Sequence, residues 1–372
     1  MARPVAGRNP RIAGLWPPLA GDPDPAAAAA SIAAGAPYWL CGSGRRALHE
    51  ALLREPPAAG RRLWIPAFMC RGVVPVIVAA GFEPQLYDLD EQRRPCVDVE
   101  RVREGDGVLA AYFFGLVHDL QPLYAALRAR GAVLIEDCAH LLMPGYQGAP
   151  AGRTGDWSIF SFRKQLPVAS GAMLLGRRMA AGESVVVSNR PALREALLVV
   201  ERIAPAVLGA RYCSFVEWTR ERLDGVRSGA RWTADEGRAI GAATLRALPG
   251  FDLQAIAERR RQNFTRLASA LTGAVPGAVL PGALAAGSVP LAFPVLVDTP
   301  TSAAATILRA GVGAFFWPGF EVLPDVEWAG FAGTRRWLDH LLCLPIHQDL
   351  GAEEIDRIAE IVAKAVRQRA AI

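Results

Sequence analysis

The sequence predicts an α/β fold: a large domain on a mostly parallel sheet, residues 1–250, followed by a smaller C-terminal α/β domain, residues 251–372. Between residues 40 and 180, short and continuously apolar runs alternate with helical patterns closed by glycine. Strands covered on both faces and their crossover helices read this way. Past a Pro/Gly-rich stretch at 274–290, a second strand–helix series begins. The 372 residues exceed what one small core needs. A composition of 52% hydrophobic and 21% charged residues excludes a disordered chain.

The elements follow in order. LWIPAF (63–68) reads as a strand end, RGVVPVIVAAG (71–81) as a helix stopped by glycine, and PQLYDLD (84–90) as a strand. GVLAAYFFG (107–115) is a buried strand, LQPLYAALRARG (120–131) a helix, and AVLIEDCAH (132–140) a buried strand with a polar end. WSIFSF (157–162) and GAMLLG (171–176) are two more strands, and 192–225 and 234–272 are mainly helical. LAFPVLVD (291–298) opens the second unit, with a helix at 302–310. The last helix starts near Gly351 and presents Ile355, Ile358, Ile361 and Val362 on one face. In parallel sheets, ligands sit at the carboxyl ends of the strands, so the polar residues ending these strands are the candidates for chemistry.

The net charge is +5, and the arginines are scattered without aromatic interleaving. That argues against a nucleic-acid module and suits a mild attraction for anionic metabolites. The six cysteines form no C-x-x-C pair and read as reduced thiols. Cys138 and His140 are two ligand types and make no zinc site, so no metal is expected. The N-terminus lacks an apolar signal core. The uncharged stretches 25–44 and 271–297 are broken by glycine and proline. A cytoplasmic protein without a membrane span is the expectation.

The chain holds two lysines, Lys164 and Lys364; its other basic side chains are almost all arginine. An amine can lose its proton and attack a carbonyl, which a guanidinium cannot. Lys164 is therefore a candidate covalent anchor for an aldehyde or ketone, although a lone lysine is ordinarily a surface residue. Two other segments bear on it. GSGRRALHEALL (42–53) opens a helix behind a Gly-Ser-Gly turn, an anion site in which Ser43, Gly44, Arg45 and Arg46 would cradle a phosphate. An ordinary Ser43 cap would look the same. IEDCAH (135–140) places Asp137 and His140 past a buried strand. There an aspartate can hold a positive heterocyclic nitrogen, or merely cap a helix.

SGRRAL (43–48), PAFMC (66–70), EDCAH (136–140), GDWSIFSF (155–162) with Lys164, and the ending LPIHQDLGAEEIDRIAEIV (344–362) together resemble the DegT/DnrJ/StrS sugar aminotransferases. The resemblance covers most of the chain. It implies the three-layer, aspartate-aminotransferase-like fold with its pyridoxal 5'-phosphate domain in residues 1–250. By resemblance, Lys164 would form the Schiff base with the cofactor and shuttle a proton. Asp137 would pair with the pyridine nitrogen, His140 would lie beside the ring, and Ser161 would join the 43–46 turn on the phosphate. Glutamate or glutamine would donate the amine, and a nucleotide-linked keto-sugar would accept it. A homodimer with its active site at the interface is implied, with the helices of 192–272 as the contact.

Several positions depart from the family pattern. The link from Phe162 to Lys164 is two residues shorter. ASGA (169–172) lacks the acidic residue of the usual G-E-G-G. Arg45 replaces a threonine. Cys70 replaces the ring-stacking aromatic, a role left open to Phe68, Tyr112 or Phe113. The N-x-R-M-S loop that reaches the partner subunit is represented by ARWTAD (230–235), without the asparagine. AFFWPGF (314–320) lines an acceptor pocket or is core. A degenerate binder without catalysis, or a cofactor enzyme of another reaction, are the alternatives.

Overall fold

The computed structural model describes residues 35–56, 60–177, 186–188, 237–275, 284–318, 321–323 and 326–367, together with residues 29, 30, 32, 33, 179, 232 and 233. The helical stretch expected at 192–225, and Cys213, lie outside the described residues.

The first unit runs β1 (Tyr38–Cys41), α1 (Gly44–Leu53), β2 (Arg62–Pro66), α2 (Val74–Ala79), β3 (Glu83–Leu89), β4 (Pro95–Cys96), β5 (Gly107–Ala111), α3 (Gln121–Ala129), β6 (Val133–Cys138), β7 (Trp157–Ser161), α4 (Phe162–Gln165) and β8 (Ala172–Gly176). These strands form one eight-stranded sheet in the order β1-β8-β7-β6-β5-β2-β3-β4. The five central strands, β7 to β3, are parallel to their neighbours. β8 and β4 are antiparallel to the strands they flank, and β1 closes the edge antiparallel to β8. This is the mostly parallel α/β sheet that the alternating apolar runs predict. It brings the ends of β2, β3, β5, β6 and β7 to one edge.

Two expected elements change shape for identifiable reasons. The run 107–115 is strand only to Ala111; Phe113–Gly115 form a 3-10 turn with Phe114 at φ 59°. There the Phe114 N–H donates to His140 Nδ1 (3.0 Å), and its carbonyl accepts from the Leu291 N–H (2.7 Å). Those tertiary bonds take the backbone groups a longer strand would have used. The helix expected at 71–81 starts as a 3-10 turn over Arg71–Val73 and ends before Gly81, whose φ of 82° favours glycine.

The later elements are β9 (Val187–Ser188), β10 (Ile240–Gly241), α5 (Ala242–Ala247), α6 (Leu253–Ala274), β11 (Phe293–Leu296), α7 (Pro300–Arg309), α8 (Ala332–His340), β12 (Leu341–Leu344) and α9 (Ala352–Arg367). β11 and β12 pair antiparallel. A second core gathers Leu267, Leu271, Phe293, Ile307, Leu342, Ile355, Ile358 and Val362. α6 joins the two cores: Ile256 and Ala257 belong to the first, Leu267 and Leu271 to the second. α9 starts with Glu353 and Glu354 and ends with Lys364 and Arg367, which complements its dipole at both ends. α8 docks on β3, where the Asp88 carboxylate accepts from the N–H groups of Gly333 (2.9 Å) and Thr334 (2.7 Å).

Among the described residues, no helix is long and apolar enough to cross a membrane. Among the described residues, Cys41, Cys138 and Cys343 are buried and outside any disulfide, whereas Cys70 and Cys96 are exposed. Burial pushes the imidazoles of His118 and His347 down from 6.5 to about 4. The unfolded chain therefore takes up protons that the folded one refuses. The stability this represents is intact above pH 6.5 and is lost as pH falls toward 4. Thermal melting followed from pH 7 to pH 4.5 should show a falling midpoint, each imidazole contributing roughly 1.4 kcal/mol per pH unit.

Candidate active site

The end of β6 places two adjacent carboxylates on opposite faces of the sheet, as strand alternation requires. Glu136 is fully enclosed. It accepts from Tyr112 Oη (2.7 Å), from Ser158 Oγ (3.1 Å), and from the N–H groups of Gly152 (2.9 Å), Thr154 (2.8 Å) and Gly155 (2.8 Å). Burial pushes its pKa up, and these donors oppose the shift. Glu136 thus ties the 152–155 loop to β5, β6 and β7.

Asp137 is only partly covered, and its Oδ1 accepts from the Ala139 N–H (2.9 Å). Burial among the strand ends pushes its carboxyl pKa up; the Ala139 N–H and the Lys164 charge oppose that. His140 is buried and accepts from the Phe114 N–H on Nδ1, which leaves its proton on Nε2. Burial first, and then the Lys164 charge, hold it well below the ordinary histidine range, so the ring is neutral.

The neighbouring strand brings the amine. β7 is paired with β6 through Asp137↔Ile159 and Cys138↔Phe160, and it ends at the buried Ser161. α4 follows at once and carries Lys164, whose charge acts on both Asp137 and His140. Gln165, next in the chain, donates from Nε2 to the carbonyls of His140 and Val289 (3.0 Å).

Across Ser161 lies the first turn of α1. Ser43 caps it, with Oγ accepting from the Arg46 N–H (3.3 Å). A Cβ placed on Gly44 would lie 3.7 Å from Ser161 Cβ, so the helix start faces the end of β7. A Cβ on Gly237, at φ 72°, would come within 2.3 Å of Ser43 Oγ, and one on Gly42 within 2.4 Å of the Ala239 carbonyl. These glycines let 237–241 pass tightly beside the turn, where the Gly42 N–H donates to the Gly237 carbonyl (2.7 Å). The first-turn N–H groups and the helix dipole make this end a candidate site for an anion.

The sequence-predicted residues divide accordingly. Ser43, Gly44, Asp137, His140, Ser161 and Lys164 come together at the edge formed by β6, β7 and α1. The Arg46 guanidinium turns away: it pairs with Glu50 (2.8 Å) and stacks on Trp39 (5.8 Å). Arg45 lies along the Cys70–Gly72 segment, its Nη1 3.5 Å from where a Gly72 Cβ would stand. Tyr112 has its hydroxyl on Glu136 and its ring on His118 (5.0 Å), and Phe68 is enclosed among Phe113, Phe114 and Trp317. Neither offers an open ring face.

Trp232, in the segment matched to the cross-subunit loop, packs on His49 of its own chain (4.4 Å). It is 237–241, further along, that borders the turn. Ser170, where the family pattern is acidic, accepts from the Gly241 N–H (3.3 Å) and meets Thr244 Oγ1 (3.3 Å), holding the start of α5. Gln165 had no signal in the sequence; Glu136 and Trp317 lay in the EDCAH and AFFWPGF segments without a role of their own, because each is defined by partners distant in the chain.

A model of the DegT/DnrJ/EryC1/StrS aminotransferase family matches residues 39–363, and the chain belongs to that family. The chain is 30% identical over 134 residues to GDP-perosamine synthase of Vibrio cholerae, which is 35% of this chain and 36% of that one. The match thus spans about a third of that relative. TlmJ, an aminotransferase from Streptoalloteichus hindustanus, superposes with a TM-score of 0.68 at 22% identity, over 94% of this chain and 92% of that one. A putative sugar aminotransferase from Streptococcus pneumoniae, solved in its PLP form, gives 0.66 at 16%, over 91% and 89%. At these identities the two structures establish the fold.

Replacing Glu136 by Ala strands five buried donors and should cost about 3 kcal/mol or more in urea unfolding. Glu136→Gln keeps one acceptor oxygen and should fall between that variant and the unaltered protein.

Proposed function

We propose that this protein is a pyridoxal 5'-phosphate-dependent aminotransferase. It moves an amino group from an amino-acid donor, glutamate or glutamine, to the keto group of a nucleotide-linked sugar. The observation that carries this is the convergence of Lys164 on Asp137 and His140, opposite the start of α1.

The residues present fit the cofactor. Asp137 is a carboxylate whose burial is opposed by one N–H and an amine, so a positive ring nitrogen would complete its environment. The glycine-lined start of α1, with Ser43 and Ser161, suits a phosphate. Lys164 would hold the aldehyde. When bound, pyridoxal phosphate supplies an electron sink for the carbon that bears the amine.

The chain's own groups do the rest. Asp137 would hold a proton on the heterocycle by its negative charge. Neutral His140, fixed by the Phe114 N–H, offers Nε2–H as a donor without adding charge. Lys164 takes and returns a proton at Nζ, a task an arginine could not perform at neutral pH. Trp317, partly exposed and edge-on to His140 (5.0 Å), offers an aromatic wall for the sugar or base of an acceptor. Family membership and the relatives named for amino-sugar synthesis support the acceptor class. A cytoplasmic homodimer using small-molecule substrates is part of this proposal.

Borohydride reduction after incubation with pyridoxal phosphate should tag Lys164 and leave Lys364 untagged, as read by peptide mapping. Lys164→Arg should lose the tag and about 1,000-fold or more of donor turnover. Label on neither lysine would defeat the proposal. Arg45→Ala should weaken cofactor binding about tenfold in a fluorescence titration if its guanidinium contributes to phosphate charge. Unaltered affinity would remove Arg45 from the site.

A further inference from the structure

We propose that Gln165 and Arg260 are positioning residues that set the direction of the Lys164 amine, linking it to His140 on one side and to the C-terminal unit on the other. This rests on the assignment of Lys164 made above.

α4 has four residues, and a single turn has almost no stability of its own. What orients Lys164 must therefore come from contacts outside the turn. Phe162 anchors its start, donating its N–H to the Gly171 carbonyl (3.0 Å), and Gln165 anchors its end. Gln165 is 2% exposed, and its Nε2 is shared between the His140 carbonyl and the Val289 carbonyl. Its Oε1 is enclosed and has no hydrogen-bond partner among the described residues. An apolar residue would fill the space without stranding an acceptor, so the two bonds from Nε2 are what the glutamine adds.

The backbone carbonyl of Gln165 then accepts from Arg260 Nη2 (3.4 Å). Arg260 is 1% exposed, with Nη1 on the carbonyls of Pro290 (3.2 Å) and Leu291 (3.1 Å) and Nε on Gln348 Oε1 (2.8 Å). No carboxylate among the described residues hydrogen-bonds this guanidinium. Burial lowers its pKa to about 10, opposed by the charge of Asp349. A buried cation held only by neutral oxygens is a costly way to fill a core. Its planar fork does reach three separate segments at once: the lysine turn, the 290–291 strand entry and the 348 loop. Leu291 in turn donates to Phe114, whose N–H fixes His140. The amine and the imidazole are thus held from one junction.

The test uses the chain's scarcity of lysine. Trace acetylation of the cofactor-free protein, read by peptide mass spectrometry across pH, gives the reactivity of Lys164 relative to Lys364 as an internal reference. Gln165→Leu keeps the volume and removes both Nε2 bonds; Arg260→Lys keeps the charge and removes the fork. Either variant, shown folded by its melting curve, should change the Lys164:Lys364 ratio at least threefold and move the pH midpoint of Lys164 labelling.

Donor turnover of the loaded enzyme should fall at least tenfold while cofactor affinity changes less than threefold, since Ser43 and Ser161 are untouched. If Arg260→Lys fails to fold, Gln165→Leu decides alone. An unchanged ratio and midpoint in the folded variants would overturn this assignment while leaving Lys164 in its role. Failure of borohydride to fix cofactor on Lys164 of the unaltered protein would overturn both.

Discussion

The buried carboxylate of Glu136 is the interaction on which the site depends. Five donors, from Tyr112, Gly152, Thr154, Gly155 and Ser158, converge on it from three parts of the chain. A carboxylate with fewer partners could not stay charged at that depth, and its protonated form would release some of those donors. Because side chains alternate along a strand, fixing Glu136 beneath β6 fixes Asp137 on the other face. The same bonds hold the loop that leads into β7, and so set where Ser161 and Lys164 emerge. One apparently redundant acidic residue thereby positions the residues on both strands of the site.

Lys164 and Arg260 divide the work of positive charge. Arg260 is buried, hydrogen-bonded to neutral oxygens and needed for its shape. Lys164 is a flexible amine beside a carboxylate and a neutral imidazole, where its charge has chemical consequences. The guanidinium keeps its proton and can serve as structure; the ammonium can give its proton up and can serve as chemistry. That contrast fits the role proposed for the one lysine this chain places just past β7.

The two cores meet at the same place. α6 contributes to both, and the 289–291 segment between them bonds Gln165, Arg260 and the Phe114 turn. Gly115 shows how tight the junction is: a Cβ there would fall 2.2 Å from the Val289 carbonyl and 2.8 Å from that of His140. Substitutions in this segment would reach the site without touching a bound molecule, because the carbonyls they displace orient Gln165 and Arg260.

The sequence by itself determined the class of fold and named the candidates for the chemistry. Apolar runs such as 132–140 and glycine stops such as Gly81 and Gly131 are local signals, and the strands and helices fall where they point. Ser43, Asp137, Ser161 and Lys164 were legible as candidates because each sits at a strand or helix end with a characteristic neighbour. The tertiary structure decided where the long side chains went. Arg46 lies on Glu50 and Trp39, and Tyr112 on Glu136 and His118, although spacing alone allowed either to face the site. It also ended β5 at Ala111, for a bond from Phe114 to His140, and made Gln165 and Arg260 part of the lysine's support. The bonds made by Phe114, Gln165 and Arg260 join partners 25 to 124 residues apart, and no local pattern encodes a partner at that separation.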